Sequence, residues 1–487
     1  MRRRQFLQYL GGLTGTAAFS NTAISEQLDR AAGEPQKAKL PALREDQALF
    51  INKSDQKASF FARSHNLRTQ MTPELRVLCK TPEAVAHVVH WAREHDVPFA
   101  MRSGGHCFET FSQSAQLVID TRLLSKVSVD PATKTVIVGA GAKLASIYKA
   151  VHAHGLALSS GMCQSVGAAG LTLGGGVGML SRVAGLTCDV LEAIDIVDAE
   201  GRLLRADTGR NTDLYWASRG GGGGSFGIAT QFRYKLIDIR PVVLFEKIFR
   251  LSPENAVNFL AAWELWAPAI RDEITSVLNI MNYVNGDIFI IFRGVALTDE
   301  NTLRQEIKRL IPAHYRKLQP VLRSMSYLEA CNYLYAPGYY PVSHYKYKSD
   351  YARKPFGQDG WNAMVSSLSA HPVNAVKVTC EPYGGAIARV KDDETAFPHR
   401  AGTLFGMQYS AEYSNEKQKV ERMSALSDVY KAMRPFVSGG AYVNYPDMEL
   451  NNWATAYWGD NLGRLKRIKM AYDPDNIFRH AQSVPLI

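Results

Sequence analysis

Two side chains in this 487-residue sequence combine reactivity with an unusual setting. His106 closes the compact turn Arg102-Ser103-Gly104-Gly105-His106. Cys163 stands at the mouth of Ser160-Gly-Met-Cys-Gln-Ser-Val-Gly-Ala-Ala-Gly-Leu-Thr-Leu-Gly-Gly-Gly-Val-Gly178. A neutral imidazole and a thiolate are both nucleophiles. Glycine has no side chain, so its amides can approach a ligand closely. The run is too glycine-dense to read as an ordinary helix or strand and is expected to lie against something flat or anionic. The two turns are then expected to hold opposite sides of one large cofactor. On its residues alone, Cys163 reads as a buried structural thiol.

Regular elements must carry these turns. Thr81 can cap a helix over 82–93, with Pro82 in the first turn and Glu83 suited to the helix dipole. His87 and His90 lie on it, with no acid or cysteine to complete a metal set, and read as packing or surface residues; no metal site is expected. Val97–Met101 reads as a short strand running into the His106 turn, and Leu117–Asp120, Thr135–Val138 and Ile194–Val197 as further strands. Asp198–Gly201 reads as a hairpin turn and Ala142–Gly155 as a helix between strands. The mixture predicts an α+β domain from about Met71 to Leu236.

Gly222-Gly-Gly-Ser-Phe-Gly227 matches a dinucleotide fingerprint and, in part, a nucleophile elbow. Asp213–Ser218 before it reads as helix where both motifs need a strand, so both matches are discounted. These glycines are instead expected to let the backbone pack close to a ligand or another loop. Tyrosine is dense between Tyr333 and Tyr351, as a surface or interface or as the lining of a substrate cleft. Val376–Glu381 reads as a strand whose end can face a pocket.

The charge of +10 is spread rather than clustered, which describes a solvated basic surface and disfavours a nucleic-acid partner. The basic N-terminus is the exception. Arg3-Arg4-Gln5-Phe6-Leu7 precedes a mildly apolar segment too short to span a bilayer, and resembles a twin-arginine export signal. The expected location is periplasmic or secreted, with the Tat machinery a partner in transit and no membrane anchor afterwards. Six cysteines form no C-x-x-C pair, which argues against a zinc ribbon or dithiol redox motif.

Arg102–His106, Gly161-Met-Cys163, Val166–Gly178, Arg182 and Gly185-Leu-Thr-Cys-Asp189 together resemble the flavin-binding half of the berberine bridge enzyme-like oxidases, within the PCMH-type, vanillyl-alcohol-oxidase-like flavoproteins. Glu381-Pro-Tyr-Gly-Gly385, Phe397-Pro-His-Arg400, Tyr442-Val-Asn-Tyr445 and the ending Asp473-Pro-Asp-Asn-Ile-Phe478 resemble the same family's C-terminal half. The implied fold is α+β: a two-lobed PCMH-type FAD-binding domain with a second, substrate domain built on an antiparallel sheet covered by helices. The implied layout is a signal at 1–25, an N-terminal part of the FAD domain at 26–70, its main body at 71–237, the substrate domain at 238–435, and a segment at 436–487 returning to the FAD domain.

The resemblance also implies roles. FAD would be held bicovalently, through His106 to the 8α-methyl carbon and Cys163 to carbon 6 of the ring. Ser103, Gly104, Gly105 and His106, with the Gly174–Gly178 loop (Gly174, Gly175, Gly176, Gly178), would offer amides to the pyrophosphate. Arg102, Gly167, Gly170, Ile228 and Asn444 complete the expected cofactor set. Val166 matches the position that gates oxygen, which implies dioxygen as acceptor and hydrogen peroxide as product. Tyr442 matches the family's base, and its phenol must be lowered from about 10 to work near neutrality. Glu381 is a second catalytic candidate, with Tyr383 and Gln408 facing the substrate. The expected activity is an FAD oxidase of an alcohol, sugar or secondary metabolite. The alternatives are a flavin dehydrogenase using another acceptor and a non-catalytic protein that retains FAD.

Overall fold

Short β-branched and aliphatic runs, each closed by a polar turn, build three principal sheets. In this computed structural model, residues 42–310, 319–334 and 342–487 are described. The expected signal at 1–25 and residues 26–41 lie outside them.

The first sheet joins β1 (Ala48–Asn52), β2 (Leu75–Cys79), β3 (Phe99–Arg102) and β4 (Leu117–Asp120) in the order β1-β2-β4-β3. β2, β3 and β4 run parallel, so a crossover is required, and the Pro82–Glu94 helix supplies it. Thr81 caps that helix, its hydroxyl accepting from the Ala84 amide at 3.2 Å. β3 ends at Arg102 and releases the chain directly into the His106 turn.

The second sheet contains β5 (Val127–Asp130), β6 (Thr135–Gly139), β8 (Leu191–Val197), β9 (Leu203–Asp207) and β10 (Ile228–Lys235), ordered β5-β6-β10-β8-β9 and antiparallel throughout. A two-residue strand β7 (Leu156–Ala157) pairs with β11 (Ile237–Asp238). Helix Leu144–His152 packs Leu144, Ile147, Tyr148 and Val151 into the core beneath this sheet.

The third sheet has seven antiparallel strands: β12 (Val242–Leu251), β13 (Ile274–Asn282), β14 (Ile288–Ala296), β15 (Val321–Met325), β16 (His344–Ala352), β17 (Lys377–Pro382) and β18 (Phe405–Tyr413), in the order β15-β12-β14-β13-β17-β18-β16. Helices Pro253–Ala269, Gly357–Ser369 and Glu416–Met433 share one apolar core with it. Strand period two sorts β17: Val378 and Cys380 enter that core, leaving Thr379 and Glu381 for the opposite face.

The seam between the flavin half and this sheet is built from charge. Lys346 and Lys348 of β16 are buried; Lys346 binds Glu109 (2.9 Å) and Asp447, and Lys348 binds Asp447 (2.7 Å) and Glu449 (2.5 Å). Arg182 donates across the same seam to the carbonyls of Ile270 (2.7 Å), Ile274 (3.1 Å), Pro268 (3.2 Å) and Tyr383. Removing one partner of such a buried ion pair costs roughly 3–5 kcal/mol. Residues Leu43–Ile487 form one compact unit.

One local expectation fails. Within the glycine run, Ala168–Leu173 is helical despite Gly170. Apolar burial of Ala168, Ala169 and Leu173 and the Thr172 hydroxyl bonds to the Ala168 carbonyl (2.8 Å) and Tyr234 (2.7 Å) outweigh the helix penalty of one glycine.

Candidate active site

The end of β3, the 161–171 loop and helix start, the 221–229 stretch, the face of the seven-stranded sheet opposite its helices and the 442–446 loop surround one cavity of about 310 Å³. Arg102, Ser103, Gly104, Gly105 and His106 line it on one side, and Cys163, Val166, Gly167 and Gly170 on the adjoining one. These turns adjoin instead of facing each other. A Cβ placed on Gly104 would lie 2.5 Å from the Gly167 amide nitrogen, so only two glycines allow this contact. Burial, and then the nearby His65, Lys143 and Arg102, hold the His106 imidazolium well below its usual range. His106 is therefore neutral, the form whose lone pair can attack. His65 stacks on it at 3.9 Å and reaches the Tyr345 hydroxyl at 3.0 Å. The Cys163 sulfur lies 3.2 Å from the Ser165 hydroxyl.

The Arg102 guanidinium turns away to the Ala62 and Arg63 carbonyls and the Ser64 hydroxyl, bracing the turn from behind. Amides of Ser103 to His106 donate to no described protein group. These are the amides that the resemblance assigns to the pyrophosphate.

The Gly174–Gly178 loop behaves otherwise, and this corrects the expectation for Gly174, Gly175, Gly176 and Gly178. None of the four lines the cavity. Their amides are engaged by the Gly170 carbonyl (3.3 Å), the Thr172 carbonyl (3.0 Å), the Tyr442 hydroxyl (2.8 Å) and the Ser181 hydroxyl (2.9 Å) respectively. The amides of Gly223, Gly224 and Ser225, which line the cavity beside Gly221, Gly222 and Ile228, donate to no described protein group either. His480 holds that loop, its ring contacting the Gly223 carbonyl at 3.2 Å and stacking on Phe111 at 4.4 Å.

The sheet side carries the polar chemistry. Register pairs Thr379 with Gln408 and Glu381 with Gly406, so Thr379, Glu381 and Gln408 share one face and all line the cavity. Burial raises the Glu381 carboxyl to about 7, opposed by the Tyr445 hydroxyl that donates to it at 3.5 Å. Tyr442 is buried, and its oxygen accepts from both the Gly176 amide (2.8 Å) and the Asn444 side-chain amide (3.0 Å). Burial is the larger effect and holds the phenol above its usual range although both donors pull it down, so the expected lowering is not met by the protein's own groups. Asn444 is fixed in turn by the Leu171 carbonyl at 2.9 Å, and lies so close to Gly174 that a Cβ there would meet its Oδ1 at 2.2 Å.

Tyr383 is the other correction. It is absent from the cavity wall and buried in the apolar cluster behind Tyr442, where its hydroxyl donates to Tyr351 at 3.3 Å. Its ring packs on the Glu381 side of the sheet, where a Cβ on Gly406 would meet it at 3.4 Å, but behind Tyr442 and against Tyr351 rather than on the wall. Sequence reading missed Phe108, Tyr345 and Tyr347 as individual wall residues. Phe108 lies 4.3 Å from Tyr347 and 5.5 Å from both Tyr345 and Tyr445, giving an aromatic patch beside Glu381. The period-two spacing of Tyr345 and Tyr347 in the tyrosine-dense stretch was the available signal. Cleft lining holds for those two, whereas Tyr333 is exposed and bonds Glu246; 335–341 lie outside the described residues.

The family profile described as FAD binding domain matches residues 73–207, and that described as berberine and berberine like matches 441–485. Berberine bridge enzyme-like 4 of Arabidopsis thaliana is 30% identical over 85% of this chain and 86% of its own. This chain belongs to the berberine bridge enzyme-like family. An uncharacterised FAD-linked oxidoreductase of Bacillus subtilis, YgaK, is 32% identical over 86% of this chain and 93% of its own. BBE-like 1 of Physcomitrella patens superposes with a TM-score of 0.84 at 28% identity, covering 91% of this chain and 98% of that one. A glycine-to-alanine variant of berberine bridge enzyme, described as a reticuline dehydrogenase, superposes with a TM-score of 0.83 at 25% identity over 91% and 97%.

The family is one of FAD-linked oxidoreductases, and the cavity fits FAD on its own evidence. Two runs of free amides suit a pyrophosphate. Gly170 lines the wall, and a Cβ built on it meets no protein atom within 4 Å, so this glycine leaves room for something other than protein.

Proposed function

We propose that this oxidoreductase is an oxidase of a hydroxyl-bearing small molecule, an alcohol, sugar or secondary metabolite, with dioxygen as acceptor and hydrogen peroxide as product. The observation that carries the reading is the convergence of Tyr442, Glu381 and Gln408 on the cavity that also holds His106, Cys163 and Val166.

Bound FAD would supply two-electron oxidation at the substrate carbon. It would be linked through His106 and Cys163, with the amides of Ser103–His106 and Gly223–Ser225 on its phosphates and Ile228 and Asn444 alongside. Tyr442, once ionised, takes the substrate hydroxyl proton at its phenolic oxygen; burial alone keeps it protonated, so the bound cofactor and substrate would have to favour the oxyanion. The Gly176 and Asn444 donors favour the oxyanion, and no described group accepts the Tyr442 proton. Gln408 and Thr379 hold the substrate's polar groups, Phe108, Tyr345 and Tyr347 its apolar surface, and Glu381 is a second proton acceptor once ionised. Val166, partly buried on the wall, is the proposed oxygen gate.

Acid precipitation tests the attachment: yellow colour must stay with the protein pellet. Stopped-flow mixing of the reduced protein with air-saturated buffer tests the acceptor. Fast reoxidation with peroxide release is expected, and protein that stays reduced would reject the oxidase. That outcome would favour a dehydrogenase, which a relative differing by one glycine from its parent is described as being. Twin-arginine export to the periplasm or medium, based on residues 1–25, is proposed alongside.

A further inference from the structure

Lys143 stands one residue before the Leu144–His152 helix and is not part of the cavity wall. Its ammonium donates to the Gly104 carbonyl at 2.5 Å, in the turn that carries His106. Its main chain forms an isolated antiparallel bridge with Gly167, in the loop that carries Cys163. The helix start grips the same loop: the Leu144 amide donates to the Val166 carbonyl at 3.0 Å and the Ala145 amide to the Gln164 carbonyl at 2.9 Å. The two turns meet where Gly104 touches Gly167. Lys143 thus ties one turn with its side chain and the other with its backbone.

We propose that Lys143 is a positioning residue for cofactor attachment, clamping Gly104 onto Gly167 so that His106 and Cys163 are presented to one flavin ring together. This rests on the double-attachment reading above. Each link replaces a C–H of the cofactor and an N–H or S–H of the protein by a C–N or C–S bond. Two protons and two electrons leave each time, and dioxygen accepts them as hydrogen peroxide. Such bond formation depends on placement to within about 1 Å. The lysine charge acts in the same sense, because a cation beside His106 disfavours the imidazolium. Burial, then Arg102 and Arg122, lower the Lys143 ammonium to about 8, against the pull of Asp120 and Cys163.

The test is peptide mass spectrometry of the purified holoprotein, with the absorption spectrum of the acid-denatured chain, which differs for one and two ring substituents. Wild-type protein is expected to carry both links. In Lys143→Met the doubly linked fraction should fall roughly tenfold with singly linked protein in its place, and Lys143→Arg should restore most of it. A wild-type level of double linkage in Lys143→Met overturns the proposal. Wild-type protein with fewer than two links overturns the double-attachment reading itself, a different failure. Should Lys143→Met be insoluble, Lys143→Gln, a donor on a shorter arm, is scored the same way: reduced double linkage supports the clamp, and full linkage overturns it.

Discussion

The cavity has two walls made of different material. On the flavin side the wall is mostly main chain: Ser103–His106, Gly167, Gly170 and Gly221–Ser225 present amides and bare Cα atoms. On the sheet side it is side chain: Thr379, Glu381 and Gln408 in register, Tyr345 and Tyr347 beside them, Tyr442 above. Backbone amides are the same for every residue type, so a wall made of them tolerates little change except a lost glycine. A wall of side chains on a rigid antiparallel sheet can be altered one position at a time without disturbing the fold. The first suits a constant cofactor and the second a changeable substrate.

The largest effect should come from the side-chain wall. Tyr442→Phe keeps the ring and removes the oxygen held by Gly176 and Asn444, and flavin reduction by substrate should slow about 10²–10⁴-fold. Near-normal reduction would remove Tyr442 from the chemistry. An intermediate effect belongs to the backbone wall. Gly104→Ala forces a Cβ against the Gly167 amide and should cost about 1–3 kcal/mol of stability, read as a lower Tm. Gly170→Ala has no protein atom to strike, so Tm should hold while FAD content falls. Equal Tm losses for both would mean that the Gly170 space belongs to the fold and not to a ligand.

The smallest effect concerns Glu381. Its carboxyl is raised to about 7 by burial, so it is protonated below and ionised above that pH. If the carboxylate assists, flavin reduction should gain a rising limb near pH 7 that Glu381→Gln abolishes. The stability sign is opposite. The folded state holds this proton more tightly than the unfolded chain, whose glutamate titrates near about 4.3, so Glu381 loses stabilising effect as pH rises from there through about 7. Glu381→Gln should flatten that decline in a denaturant titration series.

Much of the flavin half could be read from local pattern. The helix over 82–93, the strands at 117–120 and 194–197, and the helix before the 222–227 glycines all stand where spacing put them. The discounted dinucleotide and elbow motifs have a helix, Thr212–Ala217, where each needs a strand. The glycine loops were harder, because density says that a backbone can approach something and not what it approaches. Gly176 illustrates the difficulty: its φ of +85° requires glycine, yet its amide serves Tyr442, a residue 266 positions away. Tyr383 fails for a related reason. Glu381 and Tyr383 are two apart and on the same side of the sheet, but Tyr383 is buried against Tyr351 and Tyr442 and does not reach the wall, which spacing cannot show.

The sequence alone determined the reactive inventory, its order and its α+β setting, because nucleophiles, turn glycines and strand or helix periods are local properties of the chain. Tertiary structure decided which glycine amides stay free, that the His106 and Cys163 turns adjoin, that Tyr345 and Tyr347 reach the cavity while Tyr383 does not, and that Lys143 bridges the turns carrying His106 and Cys163. Each of those outcomes depends on which distant group meets a donor, an acceptor or a bare Cα. Pairing across the fold fixes that, and no single stretch encodes it.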